Sequence, residues 1–299
     1  MQLAPAALSL LLPACSAPDA RPRLEDEARK VSPLPACVVD SSAVAVSPGM
    51  TRSLKDRDYW RMVFPGYDEK TTSLADDARS CNGAVSIPTL LESQPAGLRV
   101  PVGESDVKVG GGADRLKIVW LRMRDEKDGT WTGALALLRA FDSSTEVYAV
   151  GKLRANPDKT KLYLERIGPE LVVVALDEEC NGKVITACGN SMSVFAPREG
   201  ALLRIGAFLT ERIAYGSGTE GGISGRLEYH LTTSPAFIPG GVKLIESVKV
   251  TDELGREVRK AELERMYFYR PDDVMSPSDD PLWPRVYPEV TPPPPKAAK

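Results

Sequence analysis

Short runs of apolar residues, broken at regular intervals by turn-forming pairs, dominate the middle of the chain. Residues 116–124 read LKIVWLRMR, and residues 132–141, 146–154, 161–167 and 171–177 have the same texture, rich in Val, Ile, Leu and aromatics. Asp128-Gly129, Asp142-Ser143-Ser144, Asn156-Pro157-Asp158, Gly168-Pro169 and Asn181-Gly182 separate or follow them. β-Branched and aromatic side chains suit a pleated, half-buried surface, and Gly, Pro, Asn and Asp supply the backbone angles of a reversal. The pattern continues over 191–195, 202–215, 225–233 and 242–251, where Asp252-Glu253-Leu254-Gly255 closes a hairpin. Such runs predict antiparallel meanders. About ten strands in one stretch imply a mainly β fold, an antiparallel barrel or a two-layer sandwich, with few short helices.

The flanks read differently. Residues 56–64 (DRDYWRMVF) predict a short helix that Pro65-Gly66 ends. Residues 68–112 mix polar loops with short apolar pieces. Residues 258–269 (VRKAELERMYFY) carry helix formers but follow a turn and end in aromatics; we read them as a strand. Residues 216–225 (GSGTEGGISG) are expected as a flexible hairpin loop. Residues 271–299, with Pro292 to Pro295 in a row, predict an extended or polyproline tail that Trp283 and Tyr287 pin to the domain. The organisation is thus a leader over 1–14, a flexible tether over 15–50, a β-rich domain over 51–270 and a Pro-rich tail over 271–299.

Residues 3–12 (LAPAALSLLL) form an apolar run. It is too short for a transmembrane helix, which needs about 20 residues, and fits the hydrophobic region of a secretory signal. It runs into Leu12-Pro13-Ala14-Cys15. That ending resembles the lipobox of bacterial lipoproteins, in which the Cys becomes the first mature residue and is acylated. The resemblance covers about 15 residues of leader anatomy. It implies a signal peptide, lipidation (palmitate) of Cys15 and a membrane anchor. Ser16, where Asp would favour inner-membrane retention, implies the outer membrane.

The cysteine count bears on the same point. Cys15, Cys37, Cys81, Cys180 and Cys188 are five, an odd number for an exported protein. Lipidation of Cys15 leaves four, enough for two disulfides in an oxidising compartment. Four cysteines allow three connectivities. Cys180 with Cys188, around Asn181-Gly182, and Cys37 with Cys81 are the pairing we favour. Cys-Asn-Gly-x-Val occurs at 81–85 and again at 180–184, each time after acidic residues.

Composition narrows the function. Lys+Arg are 38 and Asp+Glu 41, a net charge of −3 that gives no basic excess for nucleic acid. His230 is the one histidine, so zinc sites with two His ligands and HExxH helices are excluded. Without CxxC no structural zinc site is expected, and no metal or other cofactor is called for. The Gly-rich stretch at 216–225 lacks phosphate-loop spacing, and the acidic turn at 125–129 lacks the later ligands of an EF-hand. Glu228 and His230 would share a strand face and offer a general base, yet no GxSxG elbow supplies a nucleophile. No catalytic residue is assigned. The leading expectation is a lipid-anchored envelope protein with a non-catalytic β-domain that binds an envelope partner or has a structural role. A carrier of lipid or hydrophobic ligand comes second, and a hydrolase using His230 and Glu228 third.

Overall fold

A computed structural model of the chain describes residues 37–40, 54–92, 100–103, 107–110, 115–126, 128–141, 144–178, 187–220, 223–270 and 274–287. In chain order, the N-terminal part holds β1 (Cys37–Asp40), α1 (Asp56–Val63), β2 (Ser73–Leu74), α2 (Ile87–Leu90), β3 (Val100–Pro101) and β4 (Val107–Val109). Ten longer strands follow: β5 (Leu116–Asp125), β6 (Trp131–Ala140), β7 (Ser144–Ala155), β8 (Lys161–Ile167), β9 (Glu170–Glu178), β10 (Ala187–Arg198), β11 (Ala201–Glu220), β12 (Ile223–Ile238), β13 (Gly241–Thr251) and β14 (Glu257–Phe268). β15 (Ser276–Pro277) and α3 (Trp283–Val286) come last.

The chain is mainly β, with short helices, as its sequence pattern predicts. The long strands form two meanders, β4 to β7 and β8 to β14, and they build a sandwich-like fold; among the described residues they do not close into a barrel. The crossover between the meanders is a turn at 156–160. There the carboxylate of Asp177 accepts the Asn156 N–H (2.9 Å) and the Thr160 hydroxyl (2.8 Å) in a buried setting.

Strand alternation explains the layers. On β5, Val119, Leu121 and Met123 face one side, where α1 and α2 pack, while Leu116, Ile118 and Trp120 face the other. β6 does the same with Ala134, Ala136 and Leu138 against Leu135 and Leu137. The second face meets Leu171, Val173 and Ala175 of β9 and Phe195 of β10. Val172 and Val174 of β9, with Met192 and Val194 of β10, point away from it into a third core shared with β11 and β13. Strands buried on both faces read as continuous apolar runs, which is why 171–176 is LVVVAL. Trp60 and Trp120 are fully buried; truncating either to Ala costs about 3–5 kcal/mol.

α1 forms where the spacing predicts. The Lys55 N–H donates to Asp58 (2.8 Å), acidic residues open the first turn, and Tyr59, Trp60, Met62 and Val63 supply its buried face. Residues 257–268 are strand rather than helix, because β13 offers eleven cross-strand partners across the 252–255 turn; the ladder outweighs helix propensity.

The structure corrects four readings. Residues 216–220 and 223–225 are strand rather than loop: β11 and β12 stay paired through Gly218 opposite Gly225 to Glu220 opposite Ile223. The segment expected as tether contains β1, which pairs antiparallel with β7 from Cys37 opposite Val147 to Asp40 opposite Ser144. The sheet is not wholly antiparallel, since β7 and β11 run parallel where they meet. His230 takes Glu211 of β11 as its partner rather than Glu228.

Residues 274–287 cross the second meander as a strap. The Met275 N–H donates to the Ile205 carbonyl (2.6 Å), and β15 pairs with Tyr267 and Phe268. Beneath the strap, Arg265 and Glu246 form an ion pair (Nη2 to Oε1, 2.5 Å) with side chains only 3% and 4% exposed. Its remaining valences go to the strap: Arg265 Nη1 donates to the Asp279 carbonyl (2.9 Å), and the Leu282 N–H to Glu246 Oε2 (2.8 Å). Trp283 is buried beyond, and the Tyr287 ring lies 5.0 Å from that of Tyr229 on β12, so both aromatics hold this segment to the domain.

Candidate functional site: a wedge between diverging strands

The two meanders touch along a ladder two residues long, Ala201 opposite Val150 and Leu202 opposite Gly151. Glycine at 151 permits the approach, since a Cβ there would lie 2.2 Å from the Leu202 carbonyl oxygen. The Gly200 carbonyl anchors the junction by accepting the Val150 N–H (2.9 Å) and the Asn82 side-chain amide (2.6 Å). Asn82 is held ready by its own turn: its Oδ1 accepts the Ser80 hydroxyl (2.9 Å) and the Ala84 N–H (3.1 Å). The first Cys-Asn-Gly-x-Val motif is thus a turn that clips onto the start of β11. The second copy lies outside the described residues.

Beyond Gly151 the strands part. β6 pairs with one edge of β7 up to Ala155. Among the described residues no strand pairs with the other edge of residues 152–155. The opening is a cleft of about 520 Å³. Leu90, Leu153, Phe195 and Leu202 give it an apolar floor, and Lys152, Arg154 and Arg204 a cationic rim with one carboxylate, Glu92. Strand alternation puts Lys152 and Arg154 on one face of β7 and the buried Leu153 on the other.

The rim is partly paired. Lys152 Nζ lies 2.5 Å from Glu92, whose pKa is lowered by that hydrogen bond and by the ammonium charge. Arg154 bonds Asp128 (2.6 Å) and the Thr130 hydroxyl (3.0 Å). Thr130, through its hydroxyl and its N–H, does most to hold the Asp128 carboxyl low, at about 2, and Arg154 adds to it. These pairs are solvent-exposed and contribute little to stability. Arg204 is exposed and has no ion pair among the described residues. The chemistry on offer is recognition: three cations, two of them sharing exposed carboxylates, an apolar floor and a strand edge left unpaired among the described residues.

His230 sits apart from the wedge. Its Nε2 lies 3.0 Å from Oε1 of Glu211, which comes from β11, while Asn190 of β10 donates to the other oxygen (2.8 Å). Cross-strand register places Ile213 opposite His230, so Glu211 reaches it diagonally, whereas Glu228 stands opposite Tyr215. A second, wider depression of about 690 Å³ lies near Tyr215, Arg226 and Glu228. Its polar groups engage one another: Arg226 stacks 4.8 Å from the Tyr215 ring and its N–H donates to Glu253 (3.1 Å).

Of the site residues expected from sequence, Cys15 and Cys180 lie outside the described residues, as do the side chains of Cys37 and Cys188. Cys37 opens β1, and Cys188 stands opposite Ile213. Cys81 is disulfide-bonded, and its N–H donates to the Val63 carbonyl (2.8 Å). Among the described residues no three His, Cys, Asp or Glu side chains group as metal ligands, and no helix is long and apolar enough to cross a membrane. Sequence reasoning missed the wedge; its one local trace is the pair of basic residues alternating with Leu153. No protein-family model, curated protein or solved structure matches this chain.

Proposed function

We propose that this chain is a bacterial envelope lipoprotein, held to the outer membrane through a lipid on Cys15, whose β-domain binds a protein partner without catalysing a reaction. The observation that carries the binding role is the wedge between β7 and β11, where an open strand edge, an apolar floor and a cationic rim converge. Unpaired strand edges are templates for another chain unless covered or guarded. The disulfide at Cys81 supports an oxidising compartment. Cys37 is its proposed partner, with Cys180 and Cys188 as the second pair. The apolar floor supports a second reading, a hydrophobic-ligand carrier, which lipid co-purifying with the folded domain would favour.

Mass spectrometry of the N-terminal peptide from cells tests the anchor. The expected product begins at an acylated Cys15. An unmodified Cys15 behind an intact leader would overturn it. Non-reducing peptide mapping of the same sample tests the disulfides.

A further inference from the structure

We propose that the wedge binds, by strand addition to β7, an extended segment of a protein partner in which acidic and apolar residues alternate. This deepens the binding role above and rests on it. Residues 152–155 offer an edge of four residues, about 13 Å at the usual rise of a strand, with β6 already filling the opposite edge. Three residues past the junction on β11, the Ile205 carbonyl accepts the N–H of Met275 from the chain's own strap (2.6 Å). One segment of the chain itself thus already docks beside the wedge through a main-chain bond.

The side chains specify which segment fits. An added strand presents successive residues to opposite faces. Residues on the face of Lys152 and Arg154 meet two cations, each sharing its charge with one exposed carboxylate (Glu92 and Asp128), and Arg204, with no ion pair among the described residues, stands at the far wall. Opposite charges facing each other across a ladder stabilise it, and like charges destabilise it. Residues on the alternate face meet Leu153, Phe195 and Leu202. Hence the partner strand carries Asp or Glu at every second position and apolar residues between.

The test uses the folded full chain and a fluorescein-labelled twelve-residue peptide alternating Glu and Val, read by fluorescence anisotropy. The expected result is saturable binding of this peptide and none of its Lys–Val counterpart. A Lys152→Gln/Arg154→Gln variant with unchanged thermal unfolding should bind it about tenfold more weakly or worse. N-methylation of the peptide at alternate residues should abolish binding in one phase and spare it in the other, because only one set of amides faces β7. No binding of the Glu–Val peptide overturns the proposal. Tolerance of N-methylation in both phases, or undiminished binding by the double variant, does so too. A dimer that dissociates in the double variant would make a second copy the occupant, and binding only to anionic vesicles would make it a membrane; each refutes the strand-addition site. Photo-crosslinks to an envelope protein from Lys260 on β14, alongside failure of the peptide, would overturn the wedge while leaving the binding role standing.

Discussion

Replacing Arg265 with Met tests how the strap is held. The substitution keeps much of the side-chain volume and removes the guanidinium. Three bonds go with it: two to Glu246, at 2.5 and 3.0 Å, and one to the Asp279 carbonyl at 2.9 Å. Glu246 is left as a carboxylate 4% exposed, with only the Leu282 N–H in its place. Breaking a buried pair by removing one partner costs about 3–5 kcal/mol, since the stranded charge is no longer compensated. A domain's total stability is about 5–15 kcal/mol, so the loss is a large fraction of it. Urea unfolding followed by tryptophan fluorescence measures it, with Trp283 reporting from the strap. The double variant Arg265→Met/Glu246→Leu should recover much of the deficit, because no buried charge remains. A single-variant cost below about 1 kcal/mol, or a double variant no better than the single, would refute the reasoning.

Three further outcomes follow from the same geometry. Gly151→Ala places a Cβ against the Leu202 carbonyl, so it should cost about 1–3 kcal/mol and speed amide exchange at Val150; unchanged protection there would deny the close approach. Asp177→Ala orphans the buried Asn156 N–H and leaves the Thr160 hydroxyl only the Asn156 carbonyl, and thermal unfolding should register a loss of about 1–3 kcal/mol. Asp128 titrates at about 2, below its ordinary range, so the stabilisation it gives is present above about pH 4 and lost as pH falls toward 2; Thr130→Val should raise its pKa, and carbon-detected NMR titration showing no rise would contradict the assignment.

Nine of the ten long strands were legible as runs rich in apolar residues between turn signals, whereas β14, mixed in composition, was legible only from the turn before it and its aromatic end. Burial on both faces strengthened that signal in β9, whose sequence is apolar nearly throughout. The C-terminal aromatics were legible as anchors because Trp and Tyr in a Pro-rich stretch have little reason to face water. What the pattern hid depends on partners distant in sequence. Gly216, Gly218 and Gly225 look like loop formers, yet they pair in register because the strands on either side are already aligned. His230 was placed with Glu228 by a period of two within one strand; its actual carboxylate, Glu211, comes from the neighbouring strand. The wedge was the least legible feature. It exists because β11 leaves β7 after two residues to follow β10, and no local run of sequence records that divergence.

The binding role stands or falls on a partner docking at the wedge. Photo-crosslinking in living cells, from a benzophenone amino acid at position 204, examines it most directly. The expected result is a discrete adduct with one envelope protein that fades when Lys152 and Arg154 are changed to Gln. No adduct from position 204, or one of undiminished strength in that variant, would contradict it.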